Sequence, residues 1–162
     1  MKNQTTAYSK TQVYLHWITV ALIAFQFLLH GEISVLFRAR MEGFVPDVPT
    51  MSPHAIVGAI MMIVIFWRLW LRFKYGVPTV PQSNQLLAKL GSKAVHISIY
   101  VLLVANAFFG LVAWVFSLQF ASFLHIITAY ALLTIIYAHI FAALFHHFVL
   151  KNNVLKRIVG KS

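Results

Sequence analysis

The segment from Ala94 to Leu150 contains 57 residues and no Asp, Glu, Lys or Arg. As one continuous helix it would be about 85 Å long, whereas the hydrocarbon core of a bilayer is about 30 Å thick. The segment therefore predicts two membrane-spanning helices that fold back on each other. The polar residues Ser117, Gln119 and Ser122 interrupt the apolar sequence, so we expect the turn there.

Two other uncharged segments, Thr11–Gly31 with 21 residues and Val48–Trp67 with 20, are each long enough to cross a bilayer. The first is too long for a signal peptide and has no small-residue cleavage site after it, so we expect it to stay as a helix. A composition of 60% hydrophobic and 10% charged residues indicates that lipid surrounds most of the chain. We predict an all-α integral membrane protein, a four-helix transmembrane bundle forming a single membrane domain over residues 1–162. The expected helices cover approximately residues 11–31, 50–73, 94–116 and 122–150.

The distribution of charge predicts the orientation. Lys and Arg number 13, and only Arg38 and Arg40 lie in the first connector, together with all three acids, Glu32, Glu42 and Asp47. The positive-inside rule then places both termini in the cytoplasm, with membrane lipid around the helices. The net charge of +10 does not indicate a nucleic acid partner, because the basic residues flank apolar spans instead of forming a soluble basic face. The other eleven lie in the two tails and around the second connector: Lys2, Lys10, Arg68, Arg72, Lys74, Lys89, Lys93, Lys151, Lys156, Arg157 and Lys161.

Because the sequence has no cysteine, histidines are the expected ligands of any bound metal. His16 is expected about 9 Å into the first span from the cytoplasm, and His54 about 10 Å into the second span from the periplasm. His125 and His139 are fourteen residues apart, which is about 21 Å along one face of the fourth span. The four histidines therefore divide by depth into a His54–His125 pair and a His16–His139 pair.

Two histidine pairs at opposite leaflets suit two b-type haems, each with its iron between two imidazoles. Such ligation fills both axial positions of the iron and favours one-electron transfer. Gly58 and Gly110 would let a flat macrocycle approach the backbone, although glycine at a helix interface also serves close packing. Two alternatives remain open: hydrogen-bonded histidines that only pack, and a transporter that relays protons or a metal. The absence of proline from helix interiors weighs against a transporter with broken helices.

Arg68 at the cytoplasmic end of the second span is a candidate to bind a haem propionate, the alternative being lipid headgroup contact. For His96, near the cytoplasmic interface, we expect an interfacial or structural role, the alternative being a propionate or quinone contact. Interfacial or structural roles are expected for the remaining histidines, His30, His146 and His147.

Several of these residues form a pattern along nearly the whole chain that resembles the bacterial cytochrome b561 family, a family of small dihaem membrane proteins. The matching positions are Tyr8-Ser9-Lys10, Gln12, His16-Trp17, His54, Gly58, Arg68, Arg72, Lys74, Tyr75, Gly110, His125, His139, His146-His147, Asn152-Asn153, Leu155 and Arg157. The resemblance implies that His16, His54, His125 and His139 are the axial ligands of the haem iron, and that quinone is a partner. It also implies either a superoxide:quinone oxidoreductase or an electron-transfer subunit of a hydrogenase or dehydrogenase. The net charge of −1 on the first connector departs from the positive surface that would steer superoxide.

We therefore predict a membrane cytochrome that transfers electrons across the inner membrane between a periplasmic donor, with superoxide as one candidate, and ubiquinone. This activity would make it a quinone-linked oxidoreductase. The alternative is an anchor subunit of a larger dehydrogenase or hydrogenase, and a homodimer or a partner subunit is compatible with both. The quinone is expected at the cytoplasmic end near His16 and His139, with Tyr8, Lys10, Gln12 and Arg68 as candidate contacts.

Overall fold

The computed structural model describes residues 8–44, 52–76, 86–151 and 154–158. These ranges contain helices and turns, and four of the helices, α1, α3, α4 and α5, are long and apolar enough to cross a membrane. The predicted all-α fold with four membrane helices is confirmed. In chain order the helices are α1 (Lys10–Leu28), α2 (His30–Met41), α3 (Pro53–Tyr75), α4 (Leu86–Phe116), α5 (Gln119–Phe148) and α6 (Val154–Ile158).

Serine side chains start two of the spanning helices. Ser9 caps α1 in a capping box with Gln12, whose side chain accepts from the Ser9 backbone N–H. Ser52 caps α3 by accepting from the Ala55 backbone N–H at 3.1 Å, with Pro53 in the first turn. Between α4 and α5 the chain reverses at Ser117, which has φ 52°, so the turn forms without glycine or proline.

The spanning helices pack mainly as α4 against α5, α1 against α3 and α3 against α4. The larger core cluster joins α3, α4 and α5 through Met61, Ile65, Leu103 and Leu132. Many large apolar side chains elsewhere on the spanning helices are exposed, as a lipid-facing surface requires. The interior of the bundle is therefore narrow, and polar side chains that face into it lie close to one another.

Helix α2 was not predicted, because the sequence analysis treated this segment as a connector. Its Arg40 is only 8% exposed and donates from Nη1 to the Trp114 carbonyl at 2.5 Å, with the guanidinium 5.7 Å from the indole ring. This contact fastens α2 to the C-terminal end of α4. Helix α4 begins at Leu86, eight residues before the expected start at residue 94. Lys2, Asp47, Asn152, Asn153 and Lys161 lie outside the described residues.

Candidate haem sites

His54 on α3 and His125 on α5 face each other across the bundle. Their ring centroids are 6.1 Å apart and the ring planes are inclined by 79°. A metal–nitrogen bond of about 2 Å on each side would place the centroids of two trans imidazoles about 6 Å apart. The two rings thus have the spacing that a haem iron between them requires.

The His125 ring is oriented by α4. Its Nδ1–H donates to the backbone carbonyl of Asn106 at 2.8 Å, which leaves Nε2 as the nitrogen with a free lone pair. A ligating histidine usually donates its other ring N–H to a carbonyl or carboxylate in this way. The Asn106 side chain donates in turn to the His125 carbonyl at 2.8 Å and to Thr128 Oγ1 at 3.1 Å. The sequence analysis missed Asn106 and Thr128, although an amide inside an uncharged span is itself a signal of function.

Both glycines singled out in the sequence lie at helix contacts. A Cβ on Gly110 would lie 2.9 Å from His125 Cε1 and Nδ1, so the absence of a side chain makes room for that imidazole. A Cβ on Gly58 would lie 3.0 Å from Gln26 Nε2 of α1. The structure thus assigns Gly110 to the placement of a candidate ligand, whereas a contact of Gly58 with haem stays a prediction.

Two buried polar atoms on α1 and α3 have no hydrogen-bond partner among the described residues: His54 Nδ1 and Gln26 Oε1. Burying a polar atom without a partner costs about 1–3 kcal/mol. His54 therefore differs from His125, whose Nδ1 is satisfied, and the two candidate ligands of one iron have different surroundings.

The other predicted pair, His16 and His139, lies in a cluster with His96 and Arg68, whose side chains are within electrostatic reach of one another. The His139 ring contacts the His96 ring with centroids 5.0 Å apart, and His96 Nδ1 donates to the Ser92 carbonyl at 2.6 Å. A separation of 5.0 Å is shorter than the 6 Å or so of a trans pair on one metal, so this contact is a direct one between rings. His96 thus lies closer to a candidate ligand than the sequence indicated, and the pairing of His16 with His139 stays a prediction.

Arg68 is held between two aromatic partners of this cluster. It donates from Nη2 to His16 Nδ1 at 3.2 Å, and its guanidinium lies 5.5 Å from the Tyr100 ring. Arg72 approaches the same ring at 5.6 Å. Two guanidinium groups thus lie at one tyrosine ring, and guanidinium is the side-chain group best suited to bind a carboxylate.

The remaining residues singled out in the sequence lie in different surroundings. The Gln12 amide is used structurally, because Oε1 accepts from Ser9 and Nε2 donates to the Gly76 carbonyl at 3.3 Å. Lys10 is exposed. His30 is exposed and donates to the Phe27 carbonyl at 3.2 Å, whereas His146 and His147 lie in the last turn of α5.

Four apolar helices that bring histidines together in their interior are the arrangement expected of a membrane cytochrome. The sequence model of the prokaryotic cytochrome b561 family matches residues 7–161, and the chain therefore belongs to that family. It is a b561-type membrane cytochrome that transfers electrons, and family membership implies b-type haem. The resemblance seen in the sequence is confirmed.

Curated relatives match along nearly their whole length. Cytochrome b562 of Cereibacter sphaeroides is 26% identical, covering 96% of this chain and 97% of the relative. Cytochrome b561 homolog 1 of Escherichia coli is 25% identical, covering 95% and 97%. A probable superoxide oxidase CybB of Yersinia pestis is 26% identical, covering 95% and 96%.

Proposed function

We propose that this cytochrome carries electrons between the two faces of the inner membrane through two bis-histidine haem sites, from a periplasmic donor to a quinone. The observation that supports this most directly is the 6.1 Å separation of the His54 and His125 rings. His16 and His139 form the second site in this proposal, about 21 Å away along α5 from its residue spacing.

In this proposal His54 with His125, and His16 with His139, would each hold one haem. Bound haem would supply one-electron transfer with little rearrangement. His125 is prepared for ligation by its bond to the Asn106 carbonyl, which directs the Nε2 lone pair away from α4. Arg68, beside His16, would bind a carboxylate of the cofactor at the other site.

A haem count tests the number of sites. A pyridine haemochrome assay on purified protein should return about two haems per chain, because each bis-histidine pair binds one. A value near one after full haem supply would mean that one histidine pair is structural. A protein without the sharp reduced-minus-oxidised band of low-spin haem would contradict the proposal altogether.

We place the quinone at the end of the bundle that carries His16, His139 and Arg68. A quinone headgroup needs polar partners beside a haem, and the guanidinium of Arg68 lies only 3.2 Å from an imidazole nitrogen. Tyr8, Lys10 and Gln12 start the helix that carries His16 and remain candidate contacts, although the Gln12 amide already bonds to Ser9 and Gly76.

Arg68→Leu tests this placement, with Arg72→Leu as a matched control on the same Tyr100 ring. Haem reoxidation by a soluble ubiquinone analogue should slow by about tenfold or more in Arg68→Leu, which corresponds to about 1.4 kcal/mol in the barrier. Arg72→Leu should reoxidise near the normal rate, and both variants should keep both haems. Normal reoxidation in Arg68→Leu and in a Gln12→Leu, Arg68→Leu double variant would move the quinone elsewhere.

The donor remains a choice between superoxide and a partner subunit. One relative is named a probable superoxide oxidase, which supports superoxide. The first connector weighs against it, because its net charge is −1 and its Arg40 is buried against Trp114. Rapid mixing of the oxidised protein with superoxide separates the two: prompt haem reduction favours superoxide, and its absence favours an anchor subunit.

A further inference from the structure

We infer that Asn106 is a positioning residue that holds His125 in its ligating orientation and lowers the reduction potential of the haem bound there. The inference rests on the proposed His54–His125 haem site. It concerns a residue of α4 that would not touch the iron, and it acts through hydrogen bonds between α4 and α5.

Asn106 holds both the ring and the backbone of His125. Its carbonyl accepts from His125 Nδ1–H at 2.8 Å, and its side-chain Nδ2 donates to the His125 carbonyl at 2.8 Å. The ring cannot rotate without losing the first bond. Helix α5 cannot slide along α4 without breaking both. The register of the two helices and the direction of the His125 ring are therefore fixed by the same residue.

Both N–H groups of the Asn106 amide are used in this arrangement. Nδ2 also donates to Thr128 Oγ1 at 3.1 Å, and the Thr128 hydroxyl lies 2.8 Å from the Leu124 carbonyl to which it donates. An amide inside a membrane span costs free energy unless it is paired, and here its two N–H groups have two acceptors. A leucine at 106 would fill a similar volume without that cost, so packing alone does not account for asparagine.

Gly110, one turn beyond Asn106 on α4, also lies against the His125 ring. A Cβ at this position would lie 2.9 Å from Cε1 and Nδ1 of His125, which is closer than a side chain tolerates. The imidazole thus lies against bare backbone at Gly110 while its Nδ1–H reaches Asn106. Nε2 is the ring nitrogen left for the iron, and the opposing ring of His54 is 6.1 Å away between centroids.

The hydrogen bond has an electronic consequence. A carbonyl that accepts Nδ1–H makes the imidazole a more basic ligand, which stabilises ferric over ferrous iron and lowers the reduction potential. His54 Nδ1 has no hydrogen-bond partner among the described residues, so at this site the bond from Nδ1–H to a carbonyl is described for His125. Loss of the two Asn106 side-chain bonds should let α5 move from α4 and lengthen the bond from His125 Nδ1–H to the Asn106 carbonyl. The potential of this haem should then rise, and that of the other haem should stay unchanged.

The test uses the full-length protein with its haems, titrated against a redox electrode while the haem absorption is recorded. Asn106→Leu keeps the backbone carbonyl that accepts from His125 Nδ1–H but removes the two side-chain bonds that hold α5 in register with that carbonyl. Thr128→Val removes one acceptor of those bonds. Thr134→Val is the matched control, because Thr134 makes the same bond to the carbonyl four residues earlier but is exposed. The haem that His125→Ala is expected to remove should have a higher reduction potential in Asn106→Leu. The expected rise is about 59 mV, which is a tenfold change in the equilibrium constant of a one-electron reduction. Thr128→Val should shift it less in the same direction, and Thr134→Val should not shift it.

Unchanged potentials of both haems in Asn106→Leu would overturn the inference. An equal shift of both haems would also overturn it, because that is the result of general loosening of the bundle. If Asn106→Leu does not fold, the same test is made by comparing the reduction potentials of Thr128→Val and Thr134→Val. Equal potentials in these two variants would then overturn the inference. Failure of the haem proposal is distinguishable, because the unsubstituted protein would then lack the haem that His125→Ala is expected to remove.

Discussion

At the scale of the residue, His125 is the most constrained side chain of the candidate sites. Asn106 accepts its Nδ1–H, Gly110 lies against its ring, and His54 faces it at a spacing suited to a metal between them. A ring held in this way would need little rearrangement if it carried haem iron, which suits one-electron transfer. Each of the three neighbours can be changed separately.

The pairing of His54 with His125 predicts that His54→Ala and His125→Ala remove the same haem. Loss of either ligand leaves an iron with one axial imidazole, which binds less tightly and loses its low-spin spectrum. Reduced-minus-oxidised spectra at low temperature should show one and the same component missing from both variants. His30→Ala serves as the control, because His30 is exposed on α2 and should keep both components. Loss of different components from the two variants would show that these residues do not share an iron.

Gly110→Ala is predicted to weaken haem binding at the His54–His125 site. The new methyl group would lie 2.9 Å from the His125 ring, so the ring must move away from its position opposite His54. Disturbing the support of a metal ligand typically costs about 10–100-fold in affinity. Transfer of haem to apomyoglobin should be faster by about this factor for one haem only.

Gly91→Ala is the control for that substitution. It lies on the same helix, and a Cβ there meets nothing within 4 Å. Haem transfer should be normal, with a gain in helix stability of up to about 1 kcal/mol. Equal haem loss in the two variants would point to a general effect of replacing glycine in α4.

At the scale of the element, the starts of the helices determine where the candidate ligands lie. Ser52 begins α3 two residues before His54, and its side chain is 2% exposed. At the other end of the bundle the Ser9 capping box begins α1, and the Gln12 amide joins it to Gly76 after α3. Fraying of either helix start would move a histidine, so helix capping and cofactor binding are coupled.

Ser52→Ala is expected to lower the free energy of unfolding by about 0.5–2 kcal/mol, because the Ala55 backbone N–H loses its capping acceptor. Unfolding in mixed detergent, followed by helix content, measures this change. Haem at the His54–His125 site should also dissociate faster. Ser34→Ala on α2 is the control, since its hydroxyl donates to a carbonyl on an exposed face. If Ser52→Ala had no larger effect than Ser34→Ala, the Ser52 cap would not be needed for stability or for haem binding.

The sequence was sufficient to predict the spanning helices, since uncharged segments of bilayer length have few other folds available. It also predicted that His54 and His125 meet, because depth in a membrane can be counted from the nearest charge. It did not predict α2, whose position depends on Arg40 reaching a carbonyl 74 positions away along the chain. Asn106 and the contact of His96 with His139 were missed for the same reason. Bonds between helices leave no periodic pattern in either sequence segment.

At the scale of the whole molecule, charge is divided between the two ends of the bundle. The basic residues Arg72 and Lys74 lie at the end of α3, and Lys151 follows the end of α5. At the opposite end of the bundle, Glu32 lies in the first turn of α2 and Glu42 caps its C-terminus. Such a division favours the basic end on the cytoplasmic side. The orientation determines which haem site meets a periplasmic donor, since the His54–His125 site lies toward the acidic end and the His16–His139 site toward the basic end.

We therefore predict that both termini lie in the cytoplasm and that the turn at Phe44 lies in the periplasm. Alkaline phosphatase folds only outside the cytoplasm, so its fusion after Phe44 should be active and its fusion after Lys151 inactive. Green fluorescent protein fused at the same two joints is the control, because it fluoresces in the cytoplasm and should give the reverse pattern. Active phosphatase after Lys151 would place the His16–His139 site on the periplasmic side. Electrons would then enter where we place the quinone, and the proposed direction of transfer would have to be reversed.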